Sequence, residues 1–362
     1  MHSIIITAAE AVTAVGLTAK TTAASVRAGV CRVSSHDLYL DCDGYPLSVA
    51  VLRNDDGFAD PIERMEPAAL RALANLLLSF DRSHERGRPC HLLLGTAPPD
   101  RDGQLYKSEN DPLPAALVSL IAPKLGAPFV QIFPYGNASA ISALGAATEI
   151  LTRDPHSVCV VGAADSLLDE DLLERLEEDD RLKSEAPFDE EGADEYGNSP
   201  HAFSPGEAAA FIVVESALMS VRSPRAPLAS VVGAAFATEP YPYASPEPSQ
   251  SEGLTIACRE AMSMARLRGT DVDGVVIDLD GEHHRSLEWA HVEARCLGSR
   301  HPSRTLTHPA QNYGGIGAAS GAVQIAMVAA SRGWLDGHTL VLTSDDDGPR
   351  GAAILHRQWG GR

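Results

Sequence analysis

The sequence is poor in several features that define common protein classes. Its six cysteines include no CxxC pair and no even, close spacing, so we expect neither a disulfide framework nor a zinc site. Aromatic residues make up only 5%, and no apolar run reaches the roughly 20 residues that cross a bilayer. The first residues lack the basic segment of a signal peptide. We therefore expect a reduced, cytoplasmic protein with no membrane partner.

Basic residues are also scarce. The chain has 29 Lys and Arg against 49 Asp and Glu, a net charge of -20, which argues against binding to nucleic acid or to anionic lipid. Acidic residues are dense in Asp169–Glu195, and within this stretch Asp169–Asp180 has Leu172, Leu173 and Leu176 on one helical face. This pattern favours a solvated amphipathic helix, with an acidic docking surface for a basic partner as the alternative.

Short apolar runs alternate with helical stretches along the 362 residues. This order favours an α/β protein with largely parallel sheets that are covered on both faces. The length suits two packed units. The predicted strands are 3–7, 91–95, 130–133, 157–162, 210–215, 274–279 and 339–343. The predicted helices are 67–79, 139–153, 252–267 and 317–331.

An internal repeat links the two halves of the chain. Phe133–Leu151 can be laid over His308–Ala326 with an offset of 175 residues, which places Asn137 on Asn312. Each copy is rich in Gly and Ala, and small residues let helices approach closely. The repeat therefore predicts a duplicated protein in which these two helices form a buried central pair.

Three stretches resemble the β-ketoacyl-acyl-carrier-protein synthases, a branch of the thiolase fold. They are LGT at Leu94–Thr96, FSPGEAAAFIVVE at Phe203–Glu215 and NYGGIGAASG at Asn312–Gly321. The resemblance extends over almost the whole chain. It implies a thiolase-like, duplicated five-layer αβαβα architecture with halves 1–220 and 221–362.

The same resemblance places other residues at the family's catalytic positions. Asn137 stands where the family has its nucleophilic Cys, and an amide cannot hold an acyl group as a thioester. Asp280 and Gly315 stand where the family has two His that donate hydrogen bonds to the developing negative charge. Asp345–Asp347 replace the oxyanion and gating loop. These four departures predict a pseudoenzyme that catalyses neither condensation nor decarboxylation.

Two sharper alternatives concern residues near these positions. Ser139 is a candidate replacement nucleophile, although a hydroxyl that satisfies free helix N–H groups is the favoured interpretation. The acids and histidines from Asp278 to His291 include His284, Glu288 and His291 at helical spacing for a metal, but a solvated loop is favoured. We expect no metal and no cofactor. The expected vestigial pocket comprises Asn137, Ser139, Asp280, Asn312, Gly315, Asp345, Asp346 and Asp347.

Three functions fit these features. The first is a binding or assembly module, and similar inactive proteins accompany bacterial type VI secretion effectors as accessory or adaptor components. The alternative is a subunit like the chain length factors, paired with an active ketosynthase in polyketide or fatty-acid synthesis. The net charge of -20 disfavours direct docking of acidic carrier proteins, which favours the first function. A rebuilt enzyme is the third. The resemblance also implies a homodimer paired through strands of the type Ser157–Ala163.

Overall fold

A computed structural model describes residues 4–52, 60–80, 85, 87–185, 201–223, 225–298 and 303–357. The strands of the first half are β1 (Ile4–Thr13), β2 (Ser34–Leu40), β3 (Pro46–Val49), β4 (Cys90–Gly95), β5 (Phe129–Phe133), β6 (Val158–Ser166) and β7 (Glu207–Ser216). Those of the second half are β8 (Ala229–Thr238), β9 (Gly274–Ile277), β10 (Thr305–Thr307), β11 (Gly337–Ser344) and β12 (Pro349–Arg357).

The helices of the described residues alternate with these strands. They are α1 (Ala19–Arg27), α2 (Pro61–Leu77), α3 (Pro112–Leu125), α4 (Ser139–Arg153), α5 (Glu170–Glu178), α6 (Ala217–Ser220), α7 (Glu252–Ala265), α8 (His283–Val292), α9 (Ala310–Tyr313) and α10 (Ser320–Ala330). Each predicted strand and helix overlaps an observed one, and residue 3 of the first predicted strand lies outside the described residues. No helix described here is both long enough and apolar enough to cross a membrane.

The strand order repeats itself in the two halves. The first half runs β1-β7-β6-β4-β5 and the second runs β8-β12-β11-β9-β10, which is the same order relative to the chain. In each half, the strand that comes last in the chain (β7 or β12) is antiparallel to its two neighbours. The three strands beyond it (β6-β4-β5 or β11-β9-β10) are parallel to one another. A short antiparallel contact of Ile4–Ile6 with Ala229–Val231 joins the halves into one sheet. The boundary between residues 220 and 221 stays a prediction.

Strand alternation divides the core into layers. Leu92 and Leu94 of β4 pack outward with α2 and α3, whereas Leu93 packs inward with α4 and α10, because successive strand side chains point to opposite faces. In the second half, Val275 of β9 packs outward with α7 and α8, and Val276 packs inward. The outer helices, the two half-sheets and the central helices are the five layers expected from the sequence.

The central helices are a close pair, as their small residues predicted. A Cβ at Gly321 of α10 would lie 3.3 Å from Cβ of Ala140 in α4. The two helices therefore come closest where one has a glycine and the other an alanine. Every residue of α10 is buried. Gly and Ala are therefore required here by helix proximity.

The structure corrects the offset of the internal repeat. Both central helices follow a 3-10 turn, at Gly136–Ala138 and Gly317–Ala319, so the equivalent residues lie 181 positions apart. The sequence alignment with an offset of 175 matched asparagines. The backbone instead requires a glycine at φ +52 in one copy and φ +49 in the other. Asn312 lies before this turn, in α9.

The expected dimerisation strand is also wrong. β6, which contains most of Ser157–Ala163, lies between β4 and β7 and pairs with both along its length. Its backbone groups are therefore already satisfied within the chain. In this half the outermost described strand is β5, whose Phe129 side chain is 66% exposed.

Candidate functional site

Asn137 lies at the N-terminal end of the central helix α4, within the 3-10 turn that precedes it. Its backbone N–H donates to Oδ2 of Asp345 at 3.0 Å, and its side-chain Nδ2 donates to Oδ2 of Asp278 at 2.9 Å. Helix N-termini attract anions because their first N–H groups are free and the helix dipole is positive there. Asp345 fills that position, so a carboxylate of the protein itself occupies the anion site at this helix end.

Gly136 makes this arrangement possible. A Cβ at Gly136 would lie 1.7 Å from Oδ2 of Asp345, closer than two atoms can approach, and the residue has φ +52. Asp345 follows β11 directly, so the sheet carries its carboxylate to the helix end. The glycine and the aspartate are therefore complementary parts of one contact.

The second central helix has a matching contact. Oδ2 of Asp165, near the end of β6, accepts from the N–H of Ala318 at 2.7 Å, and Arg101 holds the same carboxylate at 2.6 and 2.7 Å. A Cβ at Gly317 would lie 2.2 Å from that oxygen. Each central helix thus receives a carboxylate from the opposite half of the molecule.

A buried arginine organises the acids that follow β9. Nε of Arg285 lies 3.2 Å from Oδ2 of Asp280 and 3.2 Å from Oε2 of Glu282, and its Nη2 donates to Oδ1 of Asp346 at 2.8 Å. Asp278 is 3.7 Å away. The expectation of a solvated loop is wrong for Asp278, Asp280 and Glu282, because their side chains are at most 7% exposed and need a counter-charge, whereas the Asp346 side chain is 31% exposed.

Arg181 joins the same cluster from the other half. It donates to both oxygens of Glu282 at 2.7 and 2.9 Å and to Oδ2 of Asp346 at 2.7 Å. Its guanidinium lies over the Tyr243 ring, 4.4 Å from the centroid. Asp346 therefore accepts from both Arg181 and Arg285, and Arg181 connects the two halves across the site.

The carboxylates divide into groups with raised and lowered pKa. Burial raises the pKa of Asp345 to about 6, with Asp346 adding to the shift. Burial also raises the pKa of Asp278 and of Asp280, although Arg285 opposes it in both. Burial alone would raise the pKa of Asp346, but Arg285, His284 and Arg181 together hold it well below its usual range. Of these four carboxylates, Asp346 is the one whose pKa is lowered.

Arg181, Arg285, Asp280, Asp345 and Asp346 line a cavity of about 300 Å³. Of the residues predicted from sequence, it contains Asn137, Asp280, Gly315 and Asp345–Asp347. Gly315 is held by backbone hydrogen bonds to Ser204 and Gly206, and a Cβ there would lie 3.0 Å from the Phe203 ring. The wall also includes apolar and basic side chains that the sequence analysis did not assign to the pocket: Leu167, Leu172, Leu176, Phe203, Tyr243, Arg101, Arg175, Arg181 and Arg285.

Two predicted pocket residues point elsewhere. Asn312 donates from Nδ2 to the Val30 carbonyl at 2.9 Å and does not line the cavity. Ser139 is fully buried; its Oγ donates to the Thr96 carbonyl at 2.9 Å and accepts from the Tyr135 N–H at 3.0 Å. Ser139 thus secures the loop before α4 and does not cap the N–H groups of the helix.

The basic partners were missed because no short motif marks them. Arg181 and Arg285 each stand next to acidic or histidine residues, at DDR and EHHR. A dense acidic segment beside an apolar strand could have signalled them, since buried carboxylates require buried cations.

The predicted metal spacing is not assembled. Glu288 accepts from Nε of Arg350 at 2.7 Å, and Nδ1 of His291 lies 2.9 Å from Oγ of Ser251. Instead, ligand atoms of Glu282, His284 and Asp346 lie within 4.8 Å of one another. Both of those carboxylates already accept from arginines, so a cation at this point would compete with two guanidinium groups.

Comparisons with known proteins identify the fold. No protein-family model and no curated protein matches the chain. Solved structures match over nearly its full length. A chain of a type II polyketide synthase acyl-carrier protein in complex with its ketosynthase (AntDE:AntF) has a TM-score of 0.80 and 15% identity, covering 99% of both chains. The chain has the thiolase-like fold of the ketosynthases.

Two further matches have the same fold. The ishigamide ketosynthase/chain length factor has a TM-score of 0.74 and 15% identity, covering 99% of both chains. The ketosynthase ApeO in complex with its chain length factor ApeC, from Xenorhabdus doucetiae, has a TM-score of 0.71 and 12% identity, covering 99% of this chain and 98% of that chain. These likenesses confirm the thiolase-like fold that the motifs predicted.

Proposed function

We propose that this chain is a non-catalytic subunit like the chain length factors, which pairs with an active ketosynthase. One observation carries the proposal: the N-terminal end of α4 presents Asn137, with its N–H bound to Asp345 and its amide bound to Asp278. In the family that the sequence resembles, this helix end supplies the nucleophilic thiolate.

The chemistry of condensation has no support at this position. An amide cannot form the acyl thioester, and the N–H that would stabilise a negative oxygen already binds a carboxylate. Asp280, at the first His position of the resemblance, carries negative charge when ionised. Gly315, at the second, has no side chain to donate a hydrogen bond. Ionised Asp280 repels a developing anion, and Gly315 offers it no side-chain donor.

The names of similar structures support a ketosynthase partner. Two of the three structures described above contain a ketosynthase and a chain length factor, and the third contains an acyl-carrier protein with its ketosynthase. None of these three names a secretion component. They favour the alternative over the secretion-adaptor hypothesis. In a pair, the carrier protein would dock on the active subunit, so the net charge of -20 presents no obstacle.

We assign the partner surface to the edge strand β5. It is the outermost described strand of its half, and Phe129 and Gln131 are exposed on it. An edge strand has unpaired backbone groups that can extend a sheet into another chain. The same surface would serve a homodimer or a heterodimer.

The first test is activity of the chain alone. Purified protein is incubated with acyl- and malonyl-carrier proteins, and both condensation product and released CO₂ are measured beside an active ketosynthase. The expected result is background for both. Turnover well above background would reject the proposal of an inactive subunit.

The second test is pairing. The chain is co-expressed with an active ketosynthase encoded beside it, and the mass of the purified complex is measured by light scattering. Phe129→Lys should reduce heterodimer formation at least tenfold, because it places a charge on the edge strand. Leu306→Lys on β10, whose side chain is 38% exposed, is the matched control. Equal effects of both variants, or no complex with the unaltered chain, would contradict the assignment.

A further inference from the structure

A second open strand edge lies on the hairpin formed by β2 and β3. The two strands form a sheet of their own, and β2 pairs with β3 alone among the strands that the structure describes. Three apolar side chains of this hairpin are exposed: Leu38 and Leu40 on β2 by 56% and 50%, and Tyr45 in the turn by 39%. We propose that the outer edge of β2 docks an extended protein segment in which basic and apolar side chains alternate.

The backbone of β2 is available for such a segment, whereas that of β3 is not. β3 pairs with β2 on one side, and on the other side the Ser48 N–H donates to the Lys183 carbonyl oxygen at 2.7 Å. The register of the hairpin also shifts between His36 and Leu40, so Asp37–Tyr39 has no matching residue in β3. An open strand edge of this kind can take up a strand from another chain.

Helix α5 packs directly against the hairpin. Its leucine face forms one buried cluster with Leu47 and Val49 of β3. In the hairpin turn, the N–H of Cys42 donates to Oε1 of Glu177 on the helix. The apolar face of α5 is therefore used inside the chain, and its acidic face borders the hairpin.

The charge beside this edge is almost entirely negative. Residues 34–46 contain three Asp and no Lys or Arg, and residues 169–180 contain eight Asp and Glu and a single Arg, which is already in an ion pair. Glu170 and Glu174 are exposed, share the helical face of Glu177, and pair with no cation in the part of the chain that the structure describes. Like charges repel, so this edge disfavours a second copy of the chain and favours a partner with Lys or Arg.

The apolar centre and the acidic border together specify the partner. Protein interfaces commonly have an apolar centre with a polar rim, and clustered exposed apolar side chains often mark them. The acids would attract a basic segment from a distance, and Leu38 and Leu40 would contact its apolar side chains. This surface is separate from the β5 edge at which we place the ketosynthase, so neither proposal depends on the other.

The test measures binding of a peptide to the full chain by fluorescence anisotropy. The probe is a labelled seven-residue peptide that alternates Lys and Val. We expect saturable binding that weakens at least tenfold between about 50 and about 300 mM NaCl, because salt screens the attraction. A peptide that alternates Glu and Val should not bind. The Lys peptide with Pro in place of its central Val should bind at least fivefold more weakly, because proline removes a backbone N–H and disfavours strand pairing.

An apolar pair of variants tests the centre of the surface. Leu38→Ser with Leu40→Ser should weaken binding of the Lys peptide at least fivefold. The matched control is Leu78→Ser with Val221→Ser, whose side chains are 80% and 86% exposed on other elements, and it should change binding less than twofold.

A charge pair of variants separates this edge from general attraction to an acidic protein. Glu170→Gln with Glu174→Gln should weaken binding at least threefold. Glu149→Gln with Glu260→Gln removes the same charge from exposed positions on α4 and α7 and should have less than half that effect. Phe129→Lys on β5 should leave peptide binding unchanged. Equal effects of the edge pairs and their controls would overturn the proposal, and so would equal binding of the proline peptide or no saturable binding.

Discussion

Arg285 is the point at which the architecture of the site can be tested most directly. Its side chain is only 8% exposed and contacts Asp280, Glu282 and Asp346 at 3.2, 3.2 and 2.8 Å. Arg285→Ala removes the cation and leaves the Asp280 and Glu282 carboxylates buried, while that of Asp346 is 31% exposed. Removing one partner of a buried ion pair costs about 3–5 kcal/mol, because an uncompensated charge remains in a poorly solvating environment.

Arg181 moderates this loss, since it still binds Glu282 and Asp346. No second arginine pairs with Asp280 among the residues that the structure describes, and burial already raises the pKa of Asp280. We therefore expect Arg285→Ala to lower the free energy of unfolding by about 3 kcal/mol at pH 8, the lower end of the range for a buried pair. The double variant Arg285→Ala with Asp280→Asn should recover part of it.

The assay is denaturant unfolding at fixed pH, followed by circular dichroism. Arg153→Ala is the matched control, because Arg153 pairs with Glu149 on the surface and their side chains are 80% and 70% exposed. Exposed pairs contribute about 0–1 kcal/mol, so the control should change stability little. Equal losses in Arg285→Ala and Arg153→Ala would refute the buried-cluster reasoning.

Three further predictions follow from the contacts at the N-terminal end of α4. Folding raises the pKa of Asp345 to about 6. Protonation of Asp345 therefore contributes stability that is fully present below the ordinary pKa of an aspartate and is lost as the pH rises through 6. The free energy of unfolding of Asp345→Asn, measured by urea unfolding, should therefore rise relative to that of the unaltered protein by up to about 3 kcal/mol between pH 4 and pH 8. A difference between the two proteins that does not change with pH would contradict this prediction. Gly136→Ala should destabilise the protein because of the clash with Asp345, whereas Gly145→Ala, with open space around it, should be neutral or stabilising by about 0.5–1 kcal/mol, as thermal unfolding would show. Asn137→Cys should not restore condensation with carrier-protein substrates, because Asp345 still holds the N–H; product above background would count against this.

Much of the fold could be predicted because it depends on local patterns. The span Ser139–Arg153 was predicted to the residue, since its small residues, length and bordering strand runs all favour one helix. Strand positions followed from short apolar runs, as expected where both faces are covered. The residue-by-residue equivalence of the two repeats could not be predicted in this way. Sequence alignment matched Asn137 with Asn312, whereas the backbone makes Gly136 equivalent to Gly317, because both have positive φ.

The sequence predicted which residues lie at the site, but it did not predict their hydrogen-bond and ion-pair partners. Asn137, Asp280, Gly315 and Asp345–Asp347 do meet around one cavity. Their contacts depend on elements far apart in the chain: Arg181 binds Glu282 across 101 positions, and Asn137 binds Asp345 across 208. No local pattern records which cation neutralises which acid.

The sequence by itself determined the alternation of strands and helices and the duplication, and it predicted that residues 137, 280 and 315 replace the family's reactive residues. Those properties are carried by residue type and by short-range spacing. Only the tertiary structure decided that Asp345 fills the anion site at Asn137, that the acids near Asp280 are buried, and that β5 rather than β6 forms the open edge. The reason is physical: burial, ion pairing and strand order arise when distant segments pack, and each acts through neighbours in space.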